Sequence, residues 1–548
     1  MSMDEDDSDS DIDGNIDPES NDDASGSQTD NVVSDNETGV GTDQAIRDIV
    51  KGAGVVYGGL VVEIVVAFLA QVLAAQYLSV SDFGGVTTGV ALLNIGAIVG
   101  SLGLGRGMTR YFPRVGRDKR GQIARGAYLL SIPVGLVVGA LVTFNAEFIA
   151  SSVLGDPTIS PSVRIFGAAI PFASTLHVTI GAIRGQKVSQ YRVYIENILR
   201  PVVRFSLVIT AVLWGADQAG FASAYAVPYV VGAIFALVLL FRSLPETTDD
   251  WSIDITLTRD VLRYSLPFIM SRASGFVYRS ADIFLIIYYL DSGAVGIYGV
   301  AYAAARLLNL FSTAFNFLGA PVSSELESGG GIGEAVKVNR LMLRWLTIIS
   351  IPALVPFLFF PGEFISAIYG VRYADGAMAL TILAVGFAIH NVLSAQGSIL
   401  EALGRSRLIA FNSVVSAVTN VGINIVLIPQ IGIEGAAIAT VASYLLMDLL
   451  LVMEVRYLTN SNLLTRKVLA PMLLAVPLLA VTWLLSPRIP GTLPWLVVLG
   501  IVFTAIYLLA ITLVLGVETK EVMLVKSVEE QYGVDLGPIT WIAKRFSR

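Results

Sequence analysis

Between residues 53 and 516 the chain passes through fourteen apolar runs separated by short polar breaks, at 53–78, 86–111, 125–145, 163–183, 195–215, 219–241, 264–289, 293–317, 339–361, 374–400, 407–428, 433–456, 467–486 and 493–516. A helix needs roughly 20 mostly apolar residues to cross the hydrocarbon core of a bilayer. A run of that length in lipid must satisfy its backbone hydrogen bonds internally, as a helix does. The pattern therefore predicts an all-α integral membrane protein with about fourteen transmembrane helices. Composition agrees, with 54% hydrophobic and 15% charged residues, against about 25% charged in a soluble domain. The chain has no cysteine and two histidines, His177 and His390. Disulfides, thiolate metal sites and a His-rich metal centre are thus excluded, and no cofactor is expected.

The charge is unevenly placed. Residues 1–43 hold 15 acidic residues and no Lys or Arg, leaving 29 of the 44 acidic residues against all 36 basic ones in the remainder. With few aliphatics, this segment reads as a disordered acidic tail. Its acidic start does not match a secretory signal, and Asn36-Glu37-Thr38 matches a glycosylation sequon. Basic residues favour cytoplasmic loops. The breaks after runs 2, 4, 6, 8, 10 and 12 carry 19 Lys or Arg, and the odd-numbered breaks carry 3, namely Arg164, Arg372 and Arg488. This alternation predicts fourteen crossings with both termini in the cytoplasm, and a plasma-membrane location.

Four glycines recur at a nearly constant spacing: Gly84 and Gly299, Gly155 and Gly370, Gly185 and Gly404, Gly220 and Gly435. Six crossings per unit return the chain to the same side, so the two halves are expected to be parallel repeats, an arrangement that transporters use to rock about a midplane site. The expected organisation is a six-helix bundle over 53–243, a second over 264–458, two further helices over 466–516 and a cytoplasmic tail over 517–548.

Several stretches carry a family likeness. They include Ile399-Leu-Glu-Ala-Leu-Gly-Arg405, Asn424-Ile-Val-Leu-Ile-Pro429 and Gly432-Ile-Glu-Gly-Ala-Ala-Ile-Ala-Thr440. Others are Tyr264-Ser-Leu-Pro267 leading to Arg279-Ser-Ala-Asp282, Val295-Gly-Ile-Tyr-Gly299, and the weaker Ser81-Asp-Phe-Gly84 and Gly103-Leu-Gly105 ahead of Arg110. Over roughly 45–516 the chain resembles the polysaccharide-biosynthesis, or oligosaccharide flippase, family of the superfamily that also contains multidrug exporters. The resemblance implies two six-helix bundles around a central cavity, with two extra helices often linked to long lipid tails.

Charges within the runs are costly in lipid and usually face a cavity or a partner. Arg272 and Arg279 lie seven apart in run 7 and share a helix face. With Arg306 in run 8 and Arg204 in run 5, they form the expected substrate-binding set, a cationic cavity for a phosphate or pyrophosphate headgroup. Arginine suits that role because it stays charged and binds phosphate bidentately. The competing reading pairs these arginines with carboxylates; Arg279 and Asp282 are spaced for such a pair. Arg200 is nearer the cytoplasmic end and is expected to anchor there. Glu63 and Asp282 are expected either to bind a coupling Na+ or H+ or to form salt bridges. Asp448, His177 and His390 read first as packed, hydrogen-bonded interior residues.

The expected cargo is a lipid-linked oligosaccharide on a polyprenyl or dolichyl phosphate or pyrophosphate. Membrane lipids are the other partner, and nucleic acid is not one. A cation-coupled multidrug or small-molecule exporter is the alternative, but its pocket should be acidic or apolar rather than rich in arginine. An enzyme is disfavoured because the longest extracytoplasmic loop, near 146–162, offers only Glu147 and Asp156. The glycines of Gly103-Leu-Gly105-Arg-Gly107 lie in an apolar run, which argues against a dinucleotide site.

Overall fold

A computed structural model describes residues 59–60, 62–186, 189–244, 253–310, 312–313, 332–461, 463 and 465–516. The expectations for the acidic N-terminal tail, the sequon and the C-terminal tail lie outside these residues. The described residues are helical with short connections and contain no strand. The helices are α1 (Val62–Tyr77), α2 (Val80–Gly100), α3 (Leu104–Tyr111), α4 (Arg117–Phe144), α5 (Ser160–Gly185), α6 (Arg200–Leu213), α7 (Gln218–Ser243), α8 (Ile255–Ser265) and α9 (Pro267–Tyr289). They continue with α10 (Ser292–Arg306), α11 (Ile332–Phe359), α12 (Pro361–Tyr369), α13 (Ala377–Leu393), α14 (Ser406–Ile431), α15 (Ile433–Thr459), α16 (Arg466–Leu485) and α17 (Leu493–Val514).

The described parts of the fourteen apolar runs are mainly helical, with a turn at 101–103 inside the second. Ten described spans are long and apolar enough to cross a membrane. The other four runs correspond to α1, α6, α9 and α10. Three of these are short, and α9 carries Arg272, Arg279 and Asp282. The polar breaks supply the helix starts. Ser79, Asp217, Asp254 and Asp291 each accept a hydrogen bond from a first-turn amide of α2, α7, α8 and α10 respectively, which satisfies donors that a helix start leaves open.

Packing follows the order of the chain. In the first half α5 is the hub, in contact with α2, α3, α4 and α7. In the second half α13 and α15 pack on each other, α13 also meets α10 and α11, and α15 also meets α14. The halves join chiefly where α2 crosses α10. The last two helices, α16 and α17, lean on α11. Only 17% of the α17 span is buried, against 72% of the span containing α5. Leu, Ile and Val side chains such as Ile501 and Leu509 stand outward on α17, a surface that lipid rather than water would cover.

The α2–α10 crossing is made possible by glycine. A Cβ added to Gly84 would lie 1.7 Å from the Ser292 carbonyl oxygen, and one on Gly296 would lie 2.3 Å from that of Val80. The two backbones therefore touch, as small residues permit at helix interfaces in membranes.

Candidate functional site

The chain turns sharply after α2. Leu102 and Gly103 both take left-handed backbone angles, with φ of 50° and 67°, and the helix restarts as α3. An added Cβ on Gly181 of α5 would lie 2.2 Å from the Gly105 carbonyl oxygen, and the Thr109 hydroxyl donates to the Gly181 carbonyl at 3.0 Å. The broken helix is thus held against α5 with Arg106 at its first turn. Interrupted membrane helices commonly build binding sites, because the backbone there lines a cavity.

Here α3, α5, the segment leading into α6 and the first half of α9 border a cavity of about 150 Å³. Its wall carries four guanidinium groups, those of Arg106, Arg184, Arg192 and Arg272. A single carboxylate, Glu196, accompanies them, together with His177 and Thr109. Glu196 lies in a π-helical stretch, Val193–Leu199, and accepts a hydrogen bond from Arg192 Nε at 2.6 Å. Bulges of this kind are frequent at functional sites. The cavity therefore presents a net positive wall that suits an anion bearing several oxygens.

The four arginines singled out from the sequence occupy three places. Arg272 lies on the cavity wall. Arg279 and Arg306 are exposed on α9 and α10, both within electrostatic reach of Tyr302. Arg204 is half-buried with its guanidinium 5.3 Å from the Tyr225 ring centroid, and Arg200 lies 4.1 Å from that of Tyr229. These are cation–π placements. Glu63 accepts a hydrogen bond from the Asn197 amide, with Arg200 and Arg204 within electrostatic reach.

Asp282 is buried, and its recorded partners are neutral. It accepts from the Tyr298 hydroxyl at 2.5 Å, the Thr440 hydroxyl at 3.3 Å and the Ile283 amide at 3.0 Å. Polar contacts continue from Thr440 through Ser443 and Asn420 to Asn424. Asp448 is fully buried and sits 2.8 Å from His390 Nδ1. His177, in contrast, faces the cationic cavity. Arg106, Arg184, Arg192 and Glu196 were not legible as site residues. Arg184 and Arg192 look like ordinary loop charges, Glu196 lies at the edge of run 5, and the closely spaced glycines from Gly100 to Gly107 were the available sign of a helix break beside Arg106.

At the end opposite the basic breaks, two equivalent loops tie the halves together. Gly155 and Gly370, one of the spaced glycine pairs, both have positive φ, of 76° and 104°. After Gly155, Asp156 accepts from the Ser292 amide at 3.0 Å and from the Thr158 amide at 2.9 Å, capping the start of α10. After Gly370, Arg372 donates to the carbonyls of Leu78 and Gln76, and the Tyr373 hydroxyl donates to that of Ala75 at 2.9 Å, capping the end of α1. The hydroxyls of Ser81 and Ser292 lie 2.5 Å apart between these loops.

Burial raises the Asp156 carboxyl, but hydrogen bonds from Ser292 and Thr158 outweigh it and hold the group below its ordinary value. A lowered carboxyl adds stability above its unfolded pKa, and this is lost as pH falls through the folded one. Asp156→Asn, an isostere of the protonated acid, is therefore expected to lower Tm at pH 7. The difference should close below about pH 4, read as thermal unfolding of the two proteins across pH. A difference that persists unchanged at low pH would remove the charged cap.

A family model described as polysaccharide biosynthesis protein matches residues 49–327. The "Probable low-salt glycan biosynthesis flippase Agl15" of Haloferax volcanii is 25% identical over 381 residues, covering 69% of this chain and 77% of that protein. Among solved structures, "Lipid II flippase MurJ, inward closed conformation" superposes with a TM-score of 0.66 at 14% identity, over 81% of this chain and 96% of that one. An inward-facing multidrug resistance MATE family transporter superposes with a TM-score of 0.61 at 17% identity, over 73% and 96%. The two superpositions place the chain in the same transporter fold.

Proposed function

The chain belongs to the polysaccharide biosynthesis protein family, and we propose on that basis that it is a flippase moving a lipid-linked oligosaccharide across the cell membrane by alternating access. It is a multi-pass membrane transporter and not an enzyme. The observation that carries the cargo class is the cavity wall of Arg106, Arg184, Arg192 and Arg272 against one carboxylate. A phosphate or pyrophosphate headgroup fits that wall, while the polyprenyl or dolichyl tail stays in lipid. A cationic drug would meet repulsion there, which disfavours the exporter reading.

With the basic breaks in the cytoplasm, the cavity lies toward the cytoplasmic ends of its helices and the paired caps close the outer face. This geometry suits loading of a headgroup assembled on the inner leaflet. The Asp282 group of α9, with Tyr298 and Thr440, is the better candidate for binding a coupling Na+ or H+, because its partners are neutral; Glu63 faces Arg200 and Arg204 and acts as a counter-charge. Arg279 and Arg306 line the route beyond the loading cavity, and Arg204 supports the first bundle.

Deleting the protein in its native cells is expected to abolish surface glycosylation and to leave the lipid-linked glycan on the cytoplasmic leaflet, read by accessibility to an added impermeant probe in inside-out vesicles. Loss of glycosylation without such accumulation would sink the export reading.

A further inference from the structure

Glu196 is the single carboxylate on a wall that also holds four guanidinium groups. Its side chain is 25% exposed, so it is neither sealed in the core nor free in solvent. It bonds Arg192 at 2.6 Å and acts electrostatically on Arg184 and Arg272 as well. The carboxylate thus stands among the same cations that a phosphate would need. Its backbone lies in the π-helical stretch Val193–Leu199, where the widened turn changes which side chains face the cavity.

A wall of four uncompensated guanidinium groups would hold a diphosphate tightly and release it slowly. Transport requires binding that is strong enough to load and weak enough to leave. We propose that Glu196 is a resident counter-anion. It occupies the guanidinium cluster when the cavity is empty, yields it to the cargo's phosphate oxygens on loading, and returns to displace them on release. This rests on the anionic-cargo reading above and assigns Glu196 a role in setting affinity and turnover, not in recognising the sugar. A carboxylate that merely staples the π-helical turn to Arg192 would affect stability without competing with an anion.

The test uses the full-length protein in nanodiscs of zwitterionic lipid, titrated with inorganic diphosphate at fixed ionic strength. Glu196→Gln is expected to bind diphosphate at least about tenfold more tightly than the wild type, since one charge within a nanometre of a polyanion is removed at an effective dielectric near 20. Glu196→Asp, which keeps the charge, is expected to stay near the wild-type value and controls for packing. Equal or weaker binding by a folded Glu196→Gln overturns the counter-anion role. Absence of binding by the wild type, with Arg272→Ala no different, would instead defeat the anionic-cargo reading itself. In a second arm polyprenyl diphosphate is built into the disc. Displacement of inorganic diphosphate by it assigns the site to a lipid headgroup, and failure to displace assigns it to the free anion and overturns the lipid part of the inference.

Discussion

Arg272→Ala is expected to abolish translocation while the protein still inserts and folds. Arg272 is the one member of the arginine set foreseen in the sequence that borders the cavity, and it comes from α9, whereas Arg106, Arg184 and Arg192 come from the first half. On the proposed reading, removing it takes away the contribution of α9 to the anion site, and a bound headgroup would no longer bridge α9 and the first half. Hydrogen bonds to charged groups contribute about 1.5–3 kcal/mol each, and a bidentate guanidinium supplies two. Two such bonds amount to about 3–6 kcal/mol, so the loss should be about two to four orders of magnitude in rate, which leaves no measurable translocation. Lysine should restore only part of it, because an ammonium cannot form the paired fork. The measurement is flipping of a lipid-linked glycan in proteoliposomes, with unchanged chromatographic behaviour as the folding control. Transport at the wild-type rate would remove Arg272 from the mechanism.

Joining Ser81 to Ser292 by a disulfide should be as damaging and, unlike the arginine change, reversible. The chain has no cysteine, so Ser81→Cys with Ser292→Cys introduces one pair into an empty background. The two hydroxyls lie 2.5 Å apart, compatible with the short reach of an S–S bond after small rotations. The bond would lock α2 to α10 at the sealed end. An alternating-access carrier must part these helices to release cargo outward. Oxidation should abolish transport, and a reductant should restore it. Each single variant should remain active. If the cross-linked protein transports at the normal rate, the cargo leaves by a path that does not open this crossing.

The spans were legible because the bilayer imposes a length and polarity that local composition must meet. The described parts of the runs are mainly helical for that reason, with a break at 101–103. Of the four spaced glycine pairs, the backbone angle requires both members only at Gly155 and Gly370. A positive φ demands the residue there, whereas Gly84 is required by the touching backbones of α2 and α10. The cavity was legible only through Arg272. Arg204 looked equivalent to it in sequence, but stacks on Tyr225 inside the first half. Spacing along one helix does not reveal which neighbouring helix a side chain meets. The possible pair Arg279 and Asp282, three apart on α9, illustrates the same limit, since Asp282 turns instead to Tyr298 and Thr440 on other helices.

The amino-acid sequence by itself determined that this protein is a bundle of membrane helices, since hydrophobic length acts locally along the chain. Tertiary structure alone decided which arginines line one cavity, which carboxylate joins them and which loops bond across the bundle. Those outcomes depend on a helix break at Leu102 and Gly103 and on backbone contacts between helices far apart in sequence, and the energy of a charge in a membrane is set by whatever is packed beside it.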